Sequence, residues 1–240
     1  MKEIIKEFYL KYSRLYHRQV CFSAHDRVLI VTPHQDDETL GCGALIAKYH
    51  KIIDILLVTN GNKGNPEYTQ EETVKIRNNE LMQAAGCCHR IYKMELEDSD
   101  FTYSLFKKMK FSFTDYDYIF VPNRNEAHPD HVKTYKYIQK AVRYQYKKPG
   151  ILEYEVWTPL QRFNTYLDFS DFAFRKWNMI KNYRSQLKHI DYLNKIKGLN
   201  CYRGIFVQAS YAECYYMKLK LADKLKMVLC DLITCCLKIR

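Results

Sequence analysis

Short apolar runs alternate along the chain with longer stretches in which apolar residues recur every three or four positions. Residues 27–32 (Arg-Val-Leu-Ile-Val-Thr) are β-branched and unbroken, as in a strand buried on both faces. Residues 39–51 follow with Leu40, Ala44, Leu45 and Ala47 at helical spacing, and residues 52–59 form a second buried strand that ends in the loop 60–66. Strand, helix and strand in that order predict a β-α-β unit and so a parallel sheet. The rhythm continues with a helix over 69–85 closed by Gly86, a strand over 90–94, an apolar strand over 118–121 ending at Pro122, and a helix over 130–146. Residues 2–16, apolar at Ile4, Ile5, Phe8, Tyr9 and Tyr12, predict an N-terminal helix.

Beyond Pro149 the pattern turns aromatic, with strand-like stretches over 152–157 and 163–169 and then one helix over 170–192. The expected fold class is α/β: a Rossmann-like, mostly parallel sheet flanked by helices, with a small β-rich extension in the second half. A chain of this length predicts one domain over 1–240. Residues 218–240 place Leu221, Leu225, Val228, Leu229, Leu232 and Cys236 at helical spacing, with Lys218, Lys220, Lys224 and Lys226 at the start. That pattern is an amphipathic basic helix, which suits packing on the domain, a second subunit in a homo-oligomer, or an anionic bilayer.

Composition narrows the partners. The net charge of +11 favours an anionic partner: a nucleotide-sugar, a phosphorylated lipid head group, a membrane surface or nucleic acid. No zinc-finger spacing or uninterrupted basic tract accompanies the charge, so nucleic acid is not expected. The nine cysteines include two adjacent pairs, Cys87-Cys88 and Cys235-Cys236, and no C-x-x-C spacing, which predicts reduced thiols in a cytoplasmic protein. No apolar run reaches the roughly 18 to 20 residues of a membrane span.

Two clusters carry candidate chemistry, and both fall just past predicted strands, where open parallel sheets gather ligands. His34, Asp36, Asp37 and Glu38 follow the first strand; His128, Asp130 and His131 follow the strand ending at Pro122. Crowded acids repel one another unless a cation sits among them, and His with carboxylates is a common zinc donor set. Helix capping by Asp36-Asp37-Glu38 and by Pro129-Asp130 is the structural alternative, although it leaves the histidines unexplained.

Pro33-His34-Gln35-Asp36-Asp37-Glu38-Thr39-Leu40-Gly41-Cys42-Gly43 resembles the signature of the LmbE-like, PIG-L de-N-acetylase family, and Ala127-His128-Pro129-Asp130-His131 resembles its second signature. Arg77 and Glu80 with Ala84, Ala85 and Gly86, then Arg184-Ser185-Gln186, then Tyr211-Ala212-Glu213 are similar to further segments of that family. The resemblance implies zinc held by His34, Asp37 and His131, with iron or cobalt fitting the same donors. It implies Asp36 as general base, His128 as the group facing the developing oxyanion, and Asp130 as its tuning neighbour. The family usually has proline where Gln35 stands, a difference that loosens the loop without removing a ligand.

The activity implied is hydrolysis of the N-acetyl group of an amino sugar or sugar conjugate, lipid-linked or soluble, releasing acetate. An amidase acting on a thiol-sugar conjugate or another N-acyl metabolite remains open, as do a glycan-binding protein and a basic nucleic-acid binder. Arg77 reads equally as a substrate contact and as a surface ion pair with Glu80. Asn62, Asn123, Arg124 and Asn125 flank the expected pocket, where Asn62 and Arg124 are candidate sugar contacts. Tyr211 and Glu213 read as structural. A cytoplasmic location, at the inner face of a membrane for a lipid-linked sugar, follows from this reading.

Overall fold

A computed structural model describes residues 17–218; the helix expected over 2–16 and the tail helix beyond Lys218 lie outside the described residues. The first half contains β1 (Arg18–Gln19), β2 (Val28–Thr32), α1 (Asp37–Tyr49), β3 (Ile53–Thr59), α2 (Gln70–Ala85), β4 (Arg90–Leu96), α3 (Tyr103–Lys108) and β5 (Tyr118–Pro122). The second contains α4 (Pro129–Val142), β6 (Gly150–Tyr154), β7 (Thr165–Asp168), α5 (Ala173–Ile180), α6 (Arg184–Leu187), α7 (Tyr192–Val207) and β8 (Ala212–Met217). The strands form one sheet in the order β1-β7-β8-β6-β5-β2-β3-β4. β2 pairs in parallel with β3 and β5, and β6 in parallel with β5; only β8 runs antiparallel, to β6 and β7.

Every residue of β2 and β3 is buried, as their unbroken apolar runs require when helices cover both faces. Val28, Ile30, Ile55 and Leu57 pack on one face toward α1 and α5, while Leu29, Val31, Leu56 and Val58 pack on the other with Phe106 of α3 and Ile138 of α4. The β-rich extension expected in the second half continues the same sheet through β6, β7 and β8.

The helix expected over 170–192 is instead three short pieces: a 3₁₀ turn at Ser170–Phe172, α5 and α6. Its interruption places Tyr183 and Ser185 in tertiary hydrogen bonds that continuous helix would not permit. Ser185 donates through N–H and Oγ to Glu80, both at 2.7 Å, and Tyr183 donates to Glu38.

Helix α1 is also broken, at Cys42 (φ −133°, ψ 18°). The break leaves backbone groups without helical partners, and Glu213 of β8 accepts from the N–H of Ala44 at 2.7 Å and of Leu45 at 3.0 Å. Lys176 Nζ, fully buried, bridges the Leu40 carbonyl at 2.8 Å and Glu213 at 2.7 Å. This buried pair is tolerable because each charge meets several partners, and it fixes the short N-terminal piece of α1 that carries the acidic motif. Gly41 on that piece lies against the Tyr154 ring so closely that a Cβ would stand 2.3 Å from it.

Candidate active site

Past β2 the chain turns sharply, and Asp36 sits at φ 121°, ψ −36°, a conformation that costs a non-glycine residue on the order of 1–3 kcal/mol. Surrounding bonds hold it there. The Asp36 N–H donates to Glu38 at 3.0 Å, and the Gln35 carbonyl accepts from Arg77 at 2.6 Å. Glu38 is fixed in turn by Thr39 Oγ1 at 2.6 Å and by Tyr183. The turn therefore projects His34, Asp36 and Asp37 into one pocket, where they meet His128, Asp130 and His131 from the loop between β5 and α4.

Asp37 Oδ2 lies 3.3 Å from His34 Nδ1 and 3.1 Å from His131 Nε2. His131 is wholly buried, yet neither of its ring nitrogens has a hydrogen-bond partner among the described residues. Ligands about 2.0–2.1 Å from a tetrahedral zinc stand about 3.3 Å apart, so these separations suit joint coordination better than mutual hydrogen bonding. The donor set, two imidazoles and a carboxylate, fits a divalent cation. Burial acts to lower the His34 imidazole, but hydrogen bonds to Asp130 and Asp37 outweigh it and raise the group to about 10. Burial likewise acts to raise Asp37, and the two imidazoles, His131 foremost, hold it far below the usual carboxylate range.

One nitrogen each from His34, His128 and His131 also lies within 4.8 Å of the others, an alternative three-imidazole set. Hydrogen bonding separates His128 from the other two. Its Nδ1 accepts from the Asp130 N–H at 3.2 Å, so a neutral ring carries its proton on Nε2 and is a donor there rather than a metal ligand. Burial, helped by the neighbouring His34 and His131, keeps the His128 pKa below its ordinary value and the ring neutral.

Asp36 lies 3.3 Å from the Arg77 guanidinium. Burial pushes its carboxyl well above the usual range against the pull of Arg77, and Asp37 adds to the rise. Arg77 is therefore no surface partner of Glu80: it is 4 % exposed and faces Asp36. Gly64 admits it, since a Cβ there would stand 2.0 Å from its guanidinium.

Each candidate ligand imidazole is backed by a carboxylate. Asp130 Oδ2 lies 3.2 Å from His34 Nε2 and is itself fixed by the Ser99 N–H at 3.0 Å. Glu126 Oε2 lies 3.6 Å from His131 Nδ1. Glu126 also accepts from the N–H groups of Val156, Trp157 and Thr158 at 3.1 to 3.2 Å, and so ties the rim loop to the same imidazole. The sequence offers no pattern that marks Glu126; its only signal is an acid two residues before His128. Glu126→Gln is expected to weaken zinc binding about 10- to 100-fold, measured by calorimetric titration of the metal-free chain. Unchanged affinity would limit Glu126 to loop anchoring.

The pocket, about 280 Å³, is lined by His34, Asp36, Asp37, Arg77, His128 and Asp130 together with Lys63, Asp98, Gln186, Trp157 and Tyr192, while His131 itself is wholly buried. Trp157 is 46 % exposed and meets Tyr192 edge to face at 5.8 Å, forming an aromatic rim. The other expected sugar contacts are not in this lining. Arg124 donates through Nε to Glu153 at 3.0 Å and borders a separate cavity, because the buried Glu153 requires a cation. Asn62 is committed to Gln70 at 3.1 Å and to the Asp98 N–H at 3.2 Å, Asn123 to Glu126 at 3.1 Å and the Thr158 carbonyl at 2.7 Å, and the Asn125 N–H to Asn123 at 2.8 Å. They shape loops.

A parallel-sheet protein with a histidine and carboxylate centre at its strand ends is the class this architecture defines. Residues 29–142 match the PIG-L model, described as GlcNAc-PI de-N-acetylase, so the chain carries a PIG-L/LmbE-like domain over that segment. No curated protein matches the chain. Among solved structures it is similar to N,N'-diacetylchitobiose deacetylase from Pyrococcus horikoshii, complexed with its inhibitor MPG (TM-score 0.70, 20% identity, covering 80% of this chain and 84% of that one). It is similar also to the 4-carboxy-2-hydroxymuconate hydratase GalB of Pseudomonas putida KT2440 (0.62, 16%, 81% and 97%). A third likeness is to the zinc inhibited form of teicoplanin deacetylase Orf2 (0.58, 16%, 80% and 97%). These likenesses are of fold, and the fold serves more than one reaction.

Proposed function

We propose that the chain is a zinc-dependent hydrolase that removes the acetyl group from an N-acetylated amino sugar, releasing acetate and a free amine. The observation that carries this reading is the buried Asp36 carboxylate, raised in pKa and standing beside the His34, Asp37 and His131 donor set in one pocket. A hydrolase needs a base there; a glycan-binding protein does not. The family description and the deacetylase among the similar structures support the acetyl group as the one removed.

In this reading His34, Asp37 and His131 hold the cation, which when bound polarises the acetyl carbonyl and lowers the pKa of water from about 15.7 to about 7. Asp36 takes the proton of the attacking water and returns it to the amine nitrogen as the C–N bond breaks. Arg77 keeps that carboxylate aimed into the pocket. His128 donates from Nε2 to the carbonyl oxygen as it gains charge, an interaction stronger in the transition state than with the planar amide. Asp130 and Glu126 orient the two ligand imidazoles from behind. Trp157 and Tyr192 offer an aromatic rim for the apolar face of a sugar ring.

Iron or cobalt fits the same donors as zinc. A cytoplasmic location belongs to the same proposal, supported by the odd cysteine count. No helix among the described residues is long and apolar enough to cross a membrane. The test is acetate release by the metal-loaded chain from N-acetylated sugars, nucleotide-sugars and lipid-linked sugars. Release from at least one class is expected. No release from any, with hydration of an unsaturated acid instead, would replace deacetylation with the hydratase chemistry of the same fold.

A further inference from the structure

A second cavity, about 960 Å³, lies apart from the catalytic pocket and shares no residue with it. Seven cationic side chains line it against three carboxylates, and only Arg124 and Lys147 of the seven meet a carboxylate at ion-pair distance among the described residues. The five others are Lys136, Lys140 and Arg143 of α4 and its end, Lys148 in the loop that follows, and Lys218. Its wall is apolar at Val142, Pro149, Ile151 and Met217. Beside it, the segment Arg143-Tyr144-Gln145-Tyr146-Lys147-Lys148 holds two tyrosines almost wholly in solvent, Tyr144 at 84 % and Tyr146 at 107 % exposure.

Tyrosines among cations on an exposed crest match the boundary of a bilayer, where the ring enters the head-group layer while lysine and arginine meet anionic phosphates. The sequence after Lys218, which borders the same cavity, carries Lys220, Lys224 and Lys226 among Leu221, Leu225, Val228, Leu229 and Leu232. That mixture suits a lipid interface better than a nucleic-acid groove, which has no use for a row of leucines. We propose that the face formed by Lys136, Arg143, Tyr144, Tyr146 and Lys148 docks the protein on an anionic lipid surface, with head-group phosphates entering the basic cavity.

The docking segment 143–148 leads from the end of α4 into the start of β6, whereas the catalytic residues follow the opposite strand ends. A docked molecule therefore turns its catalytic pocket away from the lipid, and docking can be measured independently of acetate release.

The test is flotation of the full chain with phosphatidylcholine vesicles with and without phosphatidylserine. Variants are Lys136→Glu/Arg143→Glu/Lys148→Glu and, separately, Tyr144→Ser/Tyr146→Ser, all at exposed positions. Wild type is expected to float only with the anionic vesicles. The triple variant should bind them about 100-fold more weakly and the tyrosine variant about 10-fold, each at an unchanged melting temperature. Equal flotation of the triple variant and wild type would overturn the proposal. So would binding to single-stranded RNA, lost in the triple variant, without binding to vesicles; the face would then be a nucleic-acid site.

Discussion

Asp36→Asn is expected to lower acetate release about 100- to 10,000-fold while metal content stays at the wild-type level. Asparagine keeps the shape of the side chain, its reach to Arg77, and better tolerance than most residues for a positive φ, so the turn survives. What disappears is the ability to take a proton. The wild-type carboxylate is suited to that task because burial raises it toward the pH at which it works while Arg77, 3.3 Å away, still favours its charged form. A matched Arg77→Lys variant should lose less, since lysine retains the charge but cannot reach both the Gln35 carbonyl and Asp36 with one planar group. Turnover of Asp36→Asn within about tenfold of wild type would remove Asp36 from the role of base.

What could be read from the sequence divides along physical lines. β2, β3 and β5 are unbroken apolar runs because helices cover both faces of the sheet, and that burial leaves a direct trace in composition. The two histidine and aspartate clusters were legible for the same reason: each directly follows such a run. Elements stabilised by tertiary polar contacts left no such trace. In β8, Glu213 occupies a core position because Lys176 of α5 and the Ala44 and Leu45 N–H groups reach it, partners that no spacing along the chain announces. The interruption at Tyr183 depends on Glu38 and Glu80, remote in sequence from it. Arg77 read equally as a substrate contact and as a surface ion pair because i,i+3 spacing to Glu80 is indistinguishable, in sequence alone, from two buried side chains with separate partners. Arg124 pairs with Glu153, more than two dozen residues later, a partner that no spacing in the sequence signals.

His131→Ala and His34→Ala are each expected to lose metal and turnover together, while His128→Ala keeps the metal and loses turnover alone. The distinction follows from the proton on His128 Nε2, which its bond from the Asp130 N–H imposes, against two His131 nitrogens that no hydrogen bond satisfies among the described residues. Metal content by elemental analysis should fall from about one ion per chain to below about a tenth in the two ligand variants, as expected when one of three protein ligands is removed. Stability supplies an independent readout. A cation that binds the folded chain alone, at about 1,000 times its dissociation constant, stabilises it by about 4 kcal/mol, so zinc should raise the melting temperature of wild type and of His128→Ala. It should leave that of His131→Ala unmoved. The carboxylates explain the size of the effect: Asp36, Asp37, Glu38 and Asp130 are all buried around the centre and need positive charge among them. If His128→Ala also lost its metal, the three imidazoles would be the ligands, and Asp37 would become the group that orients them.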